Sequence, residues 1–210
     1  MSSAPTREVA RRVFAREFND ATYTFKESDD ERAPVYVLLP TGERANRVFV
    51  VGTLTETEDV GEDAEYWQGR VVDPNGDTFF MYAGQYQPDA AAMLRDLEPP
   101  AYVAVVGKPR TYETDEGEVN VSIRPESITE VTEAVRDRWV VETAERTLDR
   151  IEAFDAGEGG ADPAAAPNEY AAMAAERYDL PVENYRRAAV DALESLEGEG
   201  TEADPAPADD

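Results

Sequence analysis

The chain has 210 residues, enough to bury one sizeable core, and carries 46 acidic against 20 basic side chains, for a formal charge of -26. It contains no cysteine and no histidine, which excludes disulfides, thiolate or imidazole metal sites, thiol nucleophiles and histidine acid–base chemistry. The acids are dispersed, lysine is limited to Lys26 and Lys108, and apolar strand-forming runs are retained; this fits a proteome adapted to molar salt, where the Debye length falls to about 3 Å and acidic self-repulsion is screened.

Residues 1–45 are expected to form an N-terminal helix and a short hairpin that pack on the domain formed by residues 46–130. Thr6 can cap a helix over residues 6–19, with Val9, Val13, Phe14 and Phe18 along one side. Arg11, Arg12 and Arg16 fall on the other side, as a phosphate-contacting patch or as a solvated face; Glu8 and Glu17 dilute the patch and favour the solvated face. Residues 23–26 and 35–39 read as two short strands around an acidic loop, closed by Pro40-Thr41-Gly42. The opening residues 1–5 lack a basic segment leading into an apolar one, and no apolar run approaches the ~18 residues that cross a bilayer. A cytoplasmic location with no membrane association is expected.

Residues 46–130 carry the order strand, strand, strand, helix, strand, strand. That is the order of a five-stranded OB-fold Greek-key barrel, so the expected class is mainly β with helical appendages (α+β). The first strand, residues 47–57, holds Gly52 after a Val-Phe-Val-Val run, and a glycine there marks the bend by which a first barrel strand pairs on both sides. Residues 66–72 and 79–82 are joined by Asp73-Pro74-Asn75-Gly76-Asp77, in which proline presets φ and Asn-Gly tolerates positive φ. Asp73, Asn75 and Asp77 match the first ligands of a calcium loop, but Gly76 comes too early and Gly84 stands where the twelfth-position acid belongs. A short helix from Pro88 or Asp89 to Leu97 is expected to turn Ala92, Met93 and Leu97 inward under the barrel. Residues 102–109 and 119–124 complete the set.

Beyond the barrel, residues 131–156 show helical spacing, with Val135, Trp139, Ile151 and Phe154 on one apolar stripe. Residues 157–167 read as a flexible linker, 168–197 as a helical pair, and 198–210 as a disordered acidic tail. The pair has the spacing of a helix-turn-helix, but its exposed positions are not basic, which favours a plain helical hairpin.

No catalytic constellation emerges. Paired acids such as Glu62-Asp63 and Asp115-Glu116 fall in turns, and neither a phosphate-binding loop nor a dinucleotide glycine pattern is present, so a non-enzymatic protein without cofactor or metal is expected. A binding role is better supported. OB-folds hold oligonucleotides on their second and third strands by stacking bases on aromatics. The residues at the corresponding positions are Trp67, Arg70, Phe80, Tyr82, Tyr86, Lys108, Arg110, Tyr112 and Arg124, with Phe80 and Tyr82 sharing one face of their strand. The barrel's charge opposes this: between Arg47 and Ile128 there are 6 basic and 16 acidic residues, a net of -10. Stacking worth roughly 1 to 3 kcal/mol per base would have to carry the affinity.

Four segments, VFVVGTLTETEDVG, YWQGRVVDPNGDTFFMYAGQYQP, PPAYVAVVGKPRTYETDEG and VSIRPESI with RDRWVVETAERTLDRI after it, together resemble the haloarchaeal replication protein A (RPA) associated proteins. The resemblance covers residues 47–154 closely and the ends more loosely. It implies an OB-fold accessory subunit acting with an RPA subunit, a single-stranded DNA binder, in DNA replication and DNA repair. It supplies no catalytic residues. Two roles are open to such a subunit: it touches single-stranded DNA itself, or it stabilises or recruits the DNA-binding partner through Val135, Trp139, Ile151 and Phe154 or through the helical pair.

Overall fold

The computed structural model describes residues 8–159 and 169–201. The chain begins with β1 (Arg11–Arg12), α1 (Ala15–Asp20), β2 (Thr24–Lys26), β3 (Val35–Leu39) and β4 (Glu43–Ala45). Next come β5 (Val48–Asp59), β6 (Trp67–Val72), β7 (Thr78–Ala83), α2 (Pro88–Asp96), β8 (Ala101–Glu113) and β9 (Val119–Glu130). The helices α3 (Glu133–Gly159), α4 (Glu169–Arg177) and α5 (Glu183–Thr201) complete the order.

Alternating side chains along β5 to β9 point Val50, Leu54, Val71, Phe79, Met81, Val103, Val105 and Ile123 into one core. β5 pairs with β6, β6 with β7, β9 with β8 and β8 with β5, all antiparallel, while β7 meets β9 in parallel at Met81 and Ile123. The ring is closed, its first strand has neighbours on both sides, and a helix joins its third and fourth strands. This is an OB-fold barrel in an α+β chain.

Gly52 sits where β5 changes partner: Val48–Leu54 pair with β8, Thr53–Asp59 with β6, and the register shifts between Leu54 and Glu56. A Cβ on Gly52 would come within 2.4 Å of the Val72 carbonyl oxygen, so the crossing admits no side chain. Gly69 has a similar role at the barrel bottom, where a Cβ would lie 2.7 Å from Leu94 Cδ2. The helix that plugs this end buries Ala90, Ala91 and Leu94, whereas Met93 and Leu97 are only partly covered. The inner face of α2 is thus rotated from the expected Ala92, Met93 and Leu97, because the gap left by Gly69 receives the residue one turn after Ala90.

The expected helix over residues 6–19 is shortened to α1, and residues before Glu8 lie outside the described set. Arg11 and Arg12 instead form a short strand parallel to β5 at Val48 and Phe49. Val13 and Phe14 follow, both buried, with Phe14 extended and meeting Trp139 edge-on at 5.5 Å. Tertiary pairing thus overrides helical spacing. Arg11, Arg12 and Arg16 form ion pairs with Glu43 at 3.0 Å, Glu142 at 2.5 Å and Asp77 at 3.1 Å.

The expected hairpin gains a third strand, in the order β2-β3-β4, through a turn at Gly42 with φ 81°. α4 lies against this small sheet, with Leu38, Phe154, Ala171 and Ala174 forming a satellite core. α3 runs further than expected, to Gly159, so three residues assigned to the linker are helical and residues 160–168 lie outside the described set. α5 likewise extends to Thr201, beyond the expected start of the tail, and residues 202–210 are not described.

Candidate nucleic-acid interface

Strand alternation on β7 buries Phe79, Met81 and Ala83 and leaves Phe80 and Tyr82 on the outer face. Across the pair with β6, Phe80 stands opposite Arg70 and Tyr82 opposite Gln68. The Arg70 guanidinium lies 5.7 Å from the Phe80 ring centre and also pairs with Glu56 at 2.9 Å, so its charge is partly neutralised. Gln68 Nε2 donates to the Tyr82 hydroxyl at 2.8 Å, and Tyr66 stacks on Tyr82 with ring centres 5.7 Å apart and planes 13° from parallel. The face is therefore a preformed aromatic ledge.

Trp67 does not belong to it. It pairs with the inward-facing Ala83 and packs against the main core, and its indole Nε1 is buried with no hydrogen-bond partner among the described residues. Its parity on β6 matches Gly69 and Val71, both buried, which is the physical reason it turns inward. The residues that take its place, Tyr66 and Gln68, share parity with Arg70. Counting alternation back from Arg70 would have found them.

β9 flanks β7 on the side away from β6, with β8 beyond it. Lys108 is opposite Arg124, and Arg110 is opposite Ser122. Burial, then Arg47 and the neighbouring Arg124 and Arg110, push the Lys108 ammonium below its ordinary range against the opposing pull of Glu126. Arg110 is lowered by burial and by Arg124. Neither Lys108, Arg110 nor Arg124 forms an ion pair with a carboxylate among the described residues, although Glu126 is near; that carboxylate is held by Arg47 at 2.6 and 2.9 Å. Tyr112 is exposed at the end of β8, its hydroxyl raised first by burial and then by Tyr82. Tyr86 is largely exposed and borders a cavity of about 360 Å³ together with Arg124.

The β6–β7 turn holds no free ligand set. Asp73 accepts backbone N–H groups of Ala15 at 2.9 Å, Asn75 at 2.9 Å and Asp77 at 3.1 Å, while Asp77 pairs with Arg16. No cluster of three metal-ligating side chains occurs among the described residues. Among the same residues no helix is long and apolar enough to cross a membrane.

The stripe expected to meet a partner is covered by the chain's own elements. Trp139 is buried and donates from Nε1 to the Phe49 carbonyl at 3.0 Å, Ile151 is fully buried, and Phe154 packs on Leu38 and α4. Of the four residues only Val135 is exposed, at 43%. The helical pair is engaged too: α5 packs on α3, and Tyr185 donates to Asp20 at 2.8 Å.

No protein-family model matches the chain, and no curated protein matches it. Among solved structures it is similar to the OBody NL8 bound to hen egg-white lysozyme, at 20% identity and a TM-score of 0.35, over 41% of this chain and 96% of that one. It is also similar to the second single-stranded DNA-binding protein, SSBb, of Mycobacterium smegmatis, at 20% identity and a TM-score of 0.35, over 41% and 86% of the two chains. For the mitochondrial single-stranded DNA-binding protein Rim1 of S. cerevisiae the values are 15%, 0.33, 41% and 94%. The OB-fold of this chain rests on its own strand order and ring closure.

Proposed function

We propose that this protein is a non-enzymatic accessory subunit of an RPA-type single-stranded DNA-binding complex in DNA replication and repair, and that it contacts DNA by stacking bases on Phe80 and Tyr82. The observation that carries this reading is the coincidence, on one side of the barrel, of outward aromatics with Lys108, Arg110 and Arg124. In a chain with 46 acids, three neighbouring cations that form no ion pair with a carboxylate among the described residues suit an external anion. Phosphate is the anion that accompanies stacked bases. Arg70, braced against Phe80, and Tyr112 extend the same face. The RPA partner and the cytoplasmic setting come from the sequence resemblance and composition.

The test is single-stranded DNA binding by the purified protein in molar KCl, alone and with its RPA partner. Phe80→Ala and Tyr82→Ala are each expected to weaken binding by about 1 to 3 kcal/mol. Undetectable binding alone, together with unchanged affinity of the complex in both variants, would overturn direct contact. The recruiting role would then remain, but through a surface other than the buried Trp139, Ile151 and Phe154.

A further inference from the structure

The β5–β8 ladder ends at Val48 and Gly107. From Lys108 onward β8 pairs only with β9 among the described residues, and its other edge borders a groove of about 650 Å³. The far wall is the turn at Arg32 to Val35, which leads into the small sheet, together with Asn46 and Arg47. Four cations line it, Arg32, Arg47, Lys108 and Arg110, against Glu8 as the acid in the lining. Arg47 is neutralised by Glu126, and Glu8 accepts from the Tyr36 hydroxyl at 2.9 Å. Lys108 and Arg110 therefore serve both the aromatic face and the groove mouth, and Arg32 continues the positive line across it.

We propose that this groove holds the sugar-phosphate backbone of the single strand after it leaves the Phe80–Tyr82 face, so that the bound segment extends past the barrel onto the small sheet. The inference rests on the DNA-contacting reading of the protein and deepens it. A nucleic-acid backbone fits better than an added peptide strand. Pro109 lies in the open edge and has no N–H to offer a docking strand, while the lining offers mainly cationic donors. The Asn46 side chain is already committed, donating from Nδ2 to the Val35 carbonyl at 2.8 Å, and so fixes the far wall to the entry of β5.

Fluorescence anisotropy in molar KCl with oligothymidylates of about 8 and about 16 nucleotides, spanning the site sizes of single OB-folds, separates the two segments. Arg32→Glu is expected to weaken the longer oligomer roughly fivefold and to leave the shorter one within about twofold, since Arg32 is exposed in a turn and reaches only the groove. Phe80→Ala is expected to weaken both. If Arg32→Glu leaves the longer oligomer unaffected while Phe80→Ala still weakens it, the groove is overturned and the aromatic face stands. A wild-type chain that binds neither oligomer overturns the groove, and it overturns the aromatic face too when Phe80→Ala and Tyr82→Ala leave the affinity of the complex unchanged.

Discussion

Asp73 shows how one buried carboxyl organises the β6–β7 turn. It accepts three backbone N–H groups, one of them from Ala15 at the start of α1, and burial still pushes its pKa up to about 6. A carboxyl whose folded pKa is raised above its unfolded value binds its proton more tightly in the native state. Its stabilising contribution is thus complete below about pH 4, the unfolded range, and is lost as pH rises through about 6. The difference in urea midpoint between wild type and Asp73→Asn is expected to move in favour of wild type as pH falls from 7 to about 4. A difference that is flat across this interval would show that the carboxyl is not raised. The Asp-Pro-Asn-Gly-Asp run made the hairpin legible, since Asn-Gly admits the positive φ that Gly76 adopts. The tie from Asp73 to Ala15 spans 58 residues and leaves no local trace.

Helix α3 is held to the barrel by its stripe and also by one buried polar hub. Arg150 donates to Glu17 at 2.7 Å, to Thr41 at 2.9 Å and to the Arg12 carbonyl at 3.2 Å, while Thr41 in turn donates to Glu17. Glu17 is 1% exposed, and the hub joins α1, α3, β1 and the β3–β4 turn. Removing Glu17 leaves the largely buried Arg150 with the longer 3.8 Å contact to Glu43 in place of its 2.7 Å pair, so Glu17→Ala is expected to cost about 3 kcal/mol in chemical denaturation. An exposed pair on the same helix, Arg138 with Glu142, offers the contrast: Arg138→Ala is expected to leave the denaturation midpoint nearly unchanged, because solvent screens the pair. The helical spacing of residues 131–156 identified the element and its buried side. It did not identify the cover, because an apolar stripe looks the same whether α5, Phe14 or another protein lies against it. The N-terminal segment reversed the problem. Val9, Val13, Phe14 and Phe18 have helical spacing, but the open edge of β5 recruits Arg11 and Arg12 as a strand.

For the whole molecule, a charge of -26 and a small cation cluster set how DNA binding should respond to salt. Each phosphate neutralised on a single strand contributes about -0.7 to the slope of log K against log salt, so contacts by Lys108, Arg110 and Arg124 correspond to a slope of about -2. Binding is expected to persist into molar KCl with that shallow dependence, measured by anisotropy titration. A slope of about -5 or steeper would mean that phosphate contacts, and not stacking on Phe80 and Tyr82, dominate.

Local residue patterns were sufficient for the strand and helix order of the barrel, the partner-switching bend at Gly52, the hairpin turn, and the shared outward face of Phe80 and Tyr82. These rest on periods of two and 3.6 residues and on the backbone preferences of glycine and proline, all of which act within a few positions. The folded chain was needed to establish that Trp67 turns into the core at the barrel end, that Trp139, Ile151 and Phe154 are covered from within, and that Lys108, Arg110 and Arg124 form no ion pair with a carboxylate among the described residues. Those outcomes depend on which distant segments meet: Arg47 takes Glu126 across 79 positions, and Trp139 takes the Phe49 carbonyl across 90. Charge pairing and burial are set by proximity in space, which local spacing does not encode.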